Sequence, residues 1–257
     1  MSLAVIGHTG FVGGTLCKQA PVTETYNSQN IEAIRGRSFE NVICAGAPGA
    51  KWKANQDGPA DLDNLRRLIA NIRQVHADRF VLISTVDVYE SPCQVDEETV
   101  IPGWMREPYG GHRYYLELSV REMFADALIV RLPGLFGPGL KKNFIYDLMH
   151  GNTLHLTHYA STFQFYDMGN LWADICQAMT AGLYLINLAT EPVKAGDVAQ
   201  HCFGIDFRNE TTKPAVHYDM RTRHGAAFGR TGPYLYSADY TLEQITVFAG
   251  CTQRRAI

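Results

Sequence analysis

Three glycines at a spacing of three stand between a short apolar run and a helical pattern near the amino end of the chain. The run Leu3–Ile6 predicts a strand, and a helix is predicted to begin near Phe11. Glycines at such a junction permit a tight turn, close approach of backbone N–H groups to a pyrophosphate, and close packing of helix on strand. The helix N-terminus adds a partial positive charge. The residues of the predicted phosphate-binding turn are Gly7, His8, Thr9, Gly10, Phe11, Val12 and Gly13.

Strand-like apolar runs alternate with helical patterns along the rest of the chain. Further strands are predicted at 22–26, 41–45, 80–84, 127–132 and 183–187, and further helices at 61–75, 109–124, 170–179, 195–201 and 241–248. Asp61 is the predicted N-cap of the helix at 61–75. This alternation is typical of an α/β fold with a Rossmann-type, doubly wound, mostly parallel sheet. No repeat or linker interrupts the pattern, so we expect a single domain over residues 1–257.

The composition narrows the class of protein. With 46% hydrophobic and 19% charged residues the chain can form a core, and a net charge of -3 gives no reason to expect a nucleic acid or an anionic membrane as partner. The six cysteines are scattered and form no CxxC pair, which favours reduced thiols in a cytoplasmic protein. No apolar run reaches the ~18 residues of a membrane span, and no signal peptide is visible. The histidines lack zinc-site spacing, so we expect no metal.

Three further segments carry a family resemblance. Residues 42–47 (VICAGA) join a strand to a small-residue turn, residues 84–89 (STVDVY) place a hydroxyl four residues before a tyrosine, and residues 131–139 (RLPGLFGPG) run from an arginine to a Gly-Pro turn. With the glycine spacing, they resemble the extended short-chain dehydrogenase/reductases of the NAD-dependent epimerase/dehydratase type. The resemblance implies that the cofactor's adenine and ribose lie over Ala45, Gly46 and Ala47, and that its nicotinamide lies beside Pro133 and Leu135.

The resemblance also implies the catalytic residues. Tyr109 is the acid/base, and Thr85 binds the substrate oxygen, with Ser84 as the fallback. The family has a lysine four residues after the tyrosine, on the same helical face, where its charge lowers a phenol pKa that is otherwise ~10. This chain has Arg113 there, which stays protonated and cannot relay a proton. The site is therefore a working one with arginine as an electrostatic substitute, an impaired one, or a purely binding one. Ser84, Tyr109 and Arg113 are also expected at the cofactor.

The second predicted strand bears on the choice between NAD and NADP. NAD enzymes usually carry an acid about 20 residues beyond the first glycines, to hold the ribose 2′-hydroxyl. That acid is absent here unless Glu24 serves. Asn27 and Ser28, with Arg35 or Arg37 nearby, could accept a 2′-phosphate, so NADP is favoured over NAD.

These observations predict an NAD(P)-dependent oxidoreductase, epimerase or dehydratase acting on a hydroxyl or carbonyl of a small polar molecule, with a sugar derivative as one option. Segments near 139–167 and 201–257 are expected on the substrate side, and a homodimer is compatible with the resemblance. Two alternatives remain open. One is a non-catalytic regulatory or sensor protein that binds NAD(P), and the other is a structural or partner-binding protein without nucleotide affinity.

Overall fold

The computed structural model describes residues 2–103 and 107–253. The strands, in chain order, are β1 Leu3–Ile6, β2 Glu24–Tyr26, β3 Ser38–Cys44, β4 His76–Thr85, β5 Cys93–Val95, β6 Ala127–Leu132, β7 Gly134–Phe136, β8 Thr162–Phe163, β9 Phe165–Asp167, β10 Leu185–Asn187, β11 Val193–Lys194 and β12 Asp219–Met220. The α-helices are α1 Phe11–Gln19, α2 Lys51–Gln56, α3 Gly58–Ile72, α4 Pro108–Met123, α5 Phe144–His150, α6 Leu171–Thr180, α7 Ala195–Phe203 and α8 Ala238–Gln253.

The chain divides into two compact units that alternate along the sequence. The first comprises residues up to Glu90, 99–131 and 171–186, and the second comprises residues 91–98, 132–170 and 187–257. The division does not test whether the chain folds as one domain, so the single domain over 1–257 stays a prediction.

The first unit contains a six-stranded sheet with the order β10-β6-β4-β3-β1-β2. Strand β1 pairs in parallel with β2 and with β3, and β3 pairs in parallel with β4. This sheet confirms the predicted Rossmann-type, doubly wound and mostly parallel architecture. The strands named from the sequence are all present, with bounds that differ by a few residues at their ends.

The order of the sheet reverses at β1. The chain passes from β1 to β2 on one side, and then to β3 on the other side. Ile6 lies opposite both Tyr26 of β2 and Cys44 of β3, so the three strands end level with one another. Sheets of this kind bind ligands outside the carboxyl ends of their strands at such a reversal. The glycine turn and the turn after β3 both stand at this point.

Helices α3 and α4, which carry residues of the candidate site, pack on the sheet through an apolar core. Leu65 and Ile72 of α3 and Leu116 and Val120 of α4 belong to the same buried cluster. The expected N-cap of α3 was wrong: the cap is Asp57, whose Oδ1 accepts the backbone N–H of Ala60 at 3.1 Å. The helix therefore begins one turn earlier than predicted, because Gly58 and a following proline open it.

In its described residues, the second unit is built from short strand pairs and three α-helices. Strand β7 pairs in parallel with β9, β8 pairs antiparallel with β11, and β5 pairs with β12. Its core includes Phe136, Phe144, Phe165, Val198 and Ile245. Most of these short strands, together with α2 and α5, were not predicted, because elements of two to seven residues carry too little periodicity. Within the described residues, no helix has both the length and the apolar character that crossing a membrane requires.

Candidate functional site

The glycine turn is fixed by two close backbone approaches. Gly7 has φ +88°, and a Cβ added there would lie 2.3 Å from the carbonyl oxygen of Ala45 in the turn after β3. A Cβ on Gly13 would lie 2.2 Å from the carbonyl oxygen of Gly7. Both positions therefore require glycine, one for contact between neighbouring turns and the other for packing of α1 on the end of β1.

The glycine turn leaves the first backbone N–H groups of α1 accessible to an anion. The first N–H groups of a helix have no partner within the helix, and α1 has no acidic residue in its first turn. Gly10, the N-cap residue, is exposed together with Thr9. A Cβ on Gly10 would meet only the Gly7 oxygen, at 3.3 Å, so the position in front of α1 is otherwise open. These residues fit the pyrophosphate of a dinucleotide.

The residues after β2 form a compact polar turn. The amide of Asn27 donates to Asn30 Oδ1 at 2.7 Å, and Asn27 Oδ1 accepts the amide of Gln29 at 2.8 Å. Ser28 is exposed at the tip of this turn. His8 Nδ1 lies 3.1 Å from the carbonyl oxygen of Tyr26, which ties the glycine turn to the end of β2. The polar turn therefore stands at the carboxyl edge of the sheet, beside the glycine turn.

The two arginines expected near this polar turn are each held by another residue. A short 3-10 helix, Ile31–Ile34, precedes both of them. Arg35 donates to Asn71 Oδ1 near the end of α3, at 2.8 Å, so its side chain is directed away from the polar turn. The Arg37 guanidinium binds Glu24, which lies three residues before Asn27 and also accepts the hydroxyl of Tyr26. A role of Arg37 beside Asn27 and Ser28 stays a prediction.

The structure brings Thr85, Tyr109 and Arg113 together. Tyr109 and Arg113 lie one turn apart on the same face of α4, and Thr85 is the last residue of β4. Both Thr85 and Arg113 act on the Tyr109 hydroxyl, since each of them lowers its pKa. Asn55 of α2 accepts the Tyr109 backbone N–H at 2.9 Å and so holds the first turn of α4.

Arg113 is fixed by a buried carboxylate that the sequence did not single out as its partner. Its Nη1 and Nη2 each lie 2.9 Å from an oxygen of Asp61 on α3, and Nη2 also donates to the carbonyl of Pro48. The guanidinium stands 4.5 Å from the ring centroid of Tyr109. His112 Nδ1 approaches the same carboxylate at 2.8 Å. The carboxylate thus shares its charge between two basic side chains.

Burial and the surrounding charges together disfavour ionisation of the Tyr109 hydroxyl. Burial raises the pKa of Tyr109 above its usual value, and the negative charge of Asp87 raises it further. The charge of Arg113 and the contacts with Thr85 and Arg113 act in the opposite direction but do not overcome burial. Asp61 offsets part of the guanidinium charge. The site therefore differs from one in which an uncompensated cation lowers the phenol pKa.

Ser84 belongs to a separate buried network. Its hydroxyl donates to Glu117 Oε1, and Glu117 is paired with Arg131 through contacts of 3.0 and 2.6 Å. Arg131 also donates to the hydroxyl of Tyr89 at 2.7 Å. Since the Ser84 hydroxyl is committed to Glu117, the structure favours Thr85 over Ser84 for contact with a bound oxygen.

Two further charged residues stand at the carboxyl edge. Lys51 Nζ, on α2, lies 2.7 Å from Asp87 Oδ1, just after β4. Asp87 Oδ2 lies 3.4 Å from the Thr85 hydroxyl. Sequence reasoning missed both residues, although each closely follows a predicted strand. Because the carboxyl ends of parallel strands meet at one edge, that position was the signal that could have found them.

The last two expected cofactor residues belong to the second unit. Pro133 is buried just before β7, and Leu135 lies within that strand. The carbonyl of Leu135 accepts Asn143 Nδ2 at 2.8 Å, and Asn143 Oδ1 caps α5. Their role at a cofactor stays a prediction.

Known proteins resemble the chain in sequence pattern and in fold. A family model described as the NAD dependent epimerase/dehydratase family matches residues 21–150, just over half of the 257 residues. No curated protein matches significantly. Among solved structures, MoeE5 in complex with UDP-glucuronic acid and NAD has a TM-score of 0.75 at 15% identity over 100% of both chains. The dTDP-4-dehydrorhamnose reductase from Bacillus anthracis str. Ames, in complex with NADP, has a TM-score of 0.75 at 16% identity over 96% of both chains.

A UDP-galactose 4-epimerase has a TM-score of 0.72 at 16% identity over 99% of both chains. At these identities the solved structures establish the fold, and the family rests on the family model. The prediction of NAD or NADP as cofactor is confirmed, because the family is NAD dependent and solved structures with this fold hold NAD or NADP. Because the family model matches more than half of the chain, the chain belongs to the NAD dependent epimerase/dehydratase family.

Proposed function

We propose that the chain is an NAD(P)-dependent epimerase or reductase that acts on a hydroxyl or carbonyl of a sugar nucleotide. The observation that carries the proposal is the meeting of Thr85, Tyr109 and Arg113 at the edge of the sheet where the glycine turn stands. The turn after β3 joins the two regions: Ala45 packs against Gly7, and Pro48 accepts a hydrogen bond from Arg113.

The dinucleotide would be held along this edge. The glycine turn and the first N–H groups of α1 would take the pyrophosphate, and Asn27 and Ser28 would meet the adenosine ribose or its 2′-phosphate. With Arg35 bound to Asn71 and Arg37 bound to Glu24, any preference for NADP would rest mainly on Asn27, Ser28 and backbone N–H groups. When bound, the nicotinamide supplies the acceptor or donor of a hydride.

The chain's own residues would handle the oxygen and the proton. The Thr85 hydroxyl orients the substrate oxygen, and the Tyr109 hydroxyl takes up or returns the proton of that oxygen. Arg113 holds the Tyr109 ring in place and contributes a fixed positive charge, which favours the phenolate. Because a guanidinium stays protonated, Arg113 stabilises charge but moves no proton.

The substrate class is supported by the solved relatives, several of which are described with uridine or thymidine diphosphate sugars. That the segments near 139–167 and 201–257 lie on the substrate side stays a prediction. A hydroxyl or carbonyl on the sugar ring is the group that Thr85 and Tyr109 are arranged to meet.

The test begins with calorimetric titration of the purified protein with NADH and with NADPH. Micromolar binding of either supports the proposal, and the tighter of the two identifies the cofactor. The protein is then assayed for nicotinamide absorbance change and sugar conversion with UDP-glucose, UDP-glucuronic acid and UDP-galactose. Absence of binding by both cofactors would contradict the proposed function and favour a protein that acts through partners.

Tyr109→Phe separates chemistry from binding. We expect a loss of turnover of about a hundredfold or more, with cofactor affinity nearly unchanged, because only the proton-carrying hydroxyl is removed. Tyr115→Phe is the matched control, since Tyr115 lies on the same helix and is 42% exposed. Turnover that survives in Tyr109→Phe would remove Tyr109 from the mechanism.

A further inference from the structure

We propose that His8 contacts the 2′ position of the cofactor's adenosine ribose, beside Asn27 and Ser28, and that its proton shifts the preference of the chain between NAD and NADP. A neutral imidazole favours the 2′-hydroxyl of NAD there, and a protonated imidazole favours the 2′-phosphate of NADP. The inference rests on the proposed function and deepens it, because it names a residue of the glycine turn that selects the cofactor. The contacts that carry it lie wholly within the first unit.

The ring of His8 is held at the end of β2. Its Nδ1 lies 3.1 Å from the carbonyl oxygen of Tyr26, the last residue of β2 and the one that precedes Asn27. The same carbonyl accepts the backbone N–H of Gly7 at 2.7 Å, so the glycine turn and the end of β2 are joined twice. In dinucleotide-binding sheets an acid near this point of the chain binds the ribose 2′-hydroxyl. The His8 ring therefore stands where the 2′ group is recognised.

The residues at the end of β2 leave the role of that acid open. Residues 27–30 (NSQN) contain no carboxylate. The side-chain oxygen of Asn27 accepts the amide of Gln29 at 2.8 Å, so this acceptor is committed within the polar turn. Glu24, on β2, is paired with Arg37. An acceptor from the glycine turn is therefore the alternative to the missing acid.

The contact with Tyr26 determines which nitrogen of the His8 ring carries hydrogen. A carbonyl oxygen can only accept a hydrogen bond, so Nδ1 is the donor in both charge states of the ring. In the neutral ring Nε2 is then an acceptor, which can pair with a 2′-hydroxyl but repels phosphate oxygens. In the protonated ring Nε2 is a charged donor, which suits a 2′-phosphate. The same side chain can therefore discriminate between the two cofactors by its proton.

The elements packed against His8 leave its ring able to change charge. A Cβ added at Gly13 of α1 would lie 3.0 Å from the His8 backbone nitrogen, so α1 is one of these elements and β2 is the other. Helix α1 has no acid in its first turn, and its charged residue, Lys18, lies in its last turn. The charged residue of β2, Glu24, is bound by Arg37. The contacts of the described residues show no carboxylate at the His8 ring, which is half-buried and so within reach of solvent protons.

The test measures dissociation constants of NADH and NADPH by calorimetry at about pH 5.5 and about pH 8, on either side of the range in which an imidazole ordinarily changes charge. Wild type is compared with His8→Gln, which cannot titrate, and with His8→Lys, which stays positive at both pH values. A phosphate monoester itself gains a proton near about pH 6, so His8→Gln supplies the baseline from which the effect of the imidazole is read. His76→Gln is the matched control, because His76 is exposed at the first residue of β4.

We expect the preference of wild type for NADPH over NADH to rise by about tenfold between pH 8 and pH 5.5, relative to the change in His8→Gln. His8→Lys should keep a high preference for NADPH at both pH values, and His76→Gln should behave as wild type. An equal pH dependence in wild type and His8→Gln would overturn the proposal. So would an equal loss of affinity for both cofactors in His8→Gln, because it would assign His8 to the pyrophosphate that they share. Failure of the wild type to bind either cofactor would overturn the proposed function, and this inference with it.

Discussion

Arg113 and Asp61 form a buried, two-pronged ion pair in which both contacts between guanidinium nitrogens and carboxylate oxygens measure 2.9 Å. The pair joins α3 to α4 and presses the guanidinium against the ring of Tyr109. Within this pair, Asp61 balances much of the guanidinium charge and holds the guanidinium 4.5 Å from the centroid of the Tyr109 ring.

Replacing Asp61 with Asn removes the carboxylate and leaves the guanidinium buried without its counter-charge. Asp61 is 6% exposed and Arg113 is 3% exposed, so we expect the free energy of unfolding to fall by about 3 kcal/mol at pH 7. Urea unfolding followed by circular dichroism measures the change. Asp63→Asn is the control, because Asp63 lies on the same helix with its side chain 74% exposed.

The pH dependence of this effect has a definite sign. Burial would raise the pKa of Asp61, but hydrogen bonds from Arg113 and His112 prevail and hold the pKa below its usual value of 3.8. A carboxyl with a lowered pKa contributes its stability above the unfolded value and loses it as the pH falls through the folded value. The difference between wild type and Asp61→Asn should therefore be full above about pH 5 and shrink below pH 4. A difference in unfolding free energy that stays constant down to about pH 3 would contradict this prediction.

Gly7→Ala tests the close approach of the two turns. The new Cβ would lie 2.3 Å from the Ala45 oxygen at a residue with φ +88°, so we expect a loss of about 2–4 kcal/mol in unfolding free energy. Gly36→Ala is the matched control: its φ is +71°, but a Cβ there meets nothing within 4 Å. It should lose about 1 kcal/mol, from backbone strain alone. Equal losses of unfolding free energy in the two variants would contradict the prediction, because they would mean that the structure shifts to relieve the contact with Ala45.

The buried network below the site gives a further prediction. Glu117 is fully buried and pairs with Arg131, so Glu117→Gln leaves a buried arginine without its charge partner. We expect the free energy of unfolding to fall by about 3 kcal/mol, measured by urea titration. Glu122→Gln, at an exposed position of the same helix, should change it by less than about 0.5 kcal/mol. A loss in Glu117→Gln no larger than that of the control would show that Tyr89 alone suffices for Arg131.

The fold was largely predictable because its signals are local. The glycine spacing, the apolar strands and the one-turn separation of Tyr109 from Arg113 are all visible within short windows of sequence. The proximity of Thr85 to Tyr109 was also predicted, through the family resemblance, although their roles stay predictions.

The partners of these residues were not predictable in the same way. Asp61 lies 52 residues from Arg113, and Lys51 lies 36 residues from Asp87. Asp61 was also predicted to be a helix N-cap, and that local role gave no indication of its contact with Arg113. Arg35 shows the opposite limit: it is close to Asn27 and Ser28 in sequence, but the intervening 3-10 helix carries it to Asn71, near the end of α3.

The replacement of Arg113 by lysine yields the last prediction. Arg113→Lys places at this position the lysine that the family resemblance predicts, but a lysine cannot form the two-pronged contact with Asp61 or lie against the Tyr109 ring as a guanidinium does. We therefore expect the free energy of unfolding to fall by about 2 kcal/mol and kcat not to rise. Urea unfolding measures the first effect, and steady-state turnover of whichever UDP-sugar proves active measures the second. A large gain in kcat from Arg113→Lys would contradict this prediction and would mean that the arginine itself limits proton transfer at Tyr109.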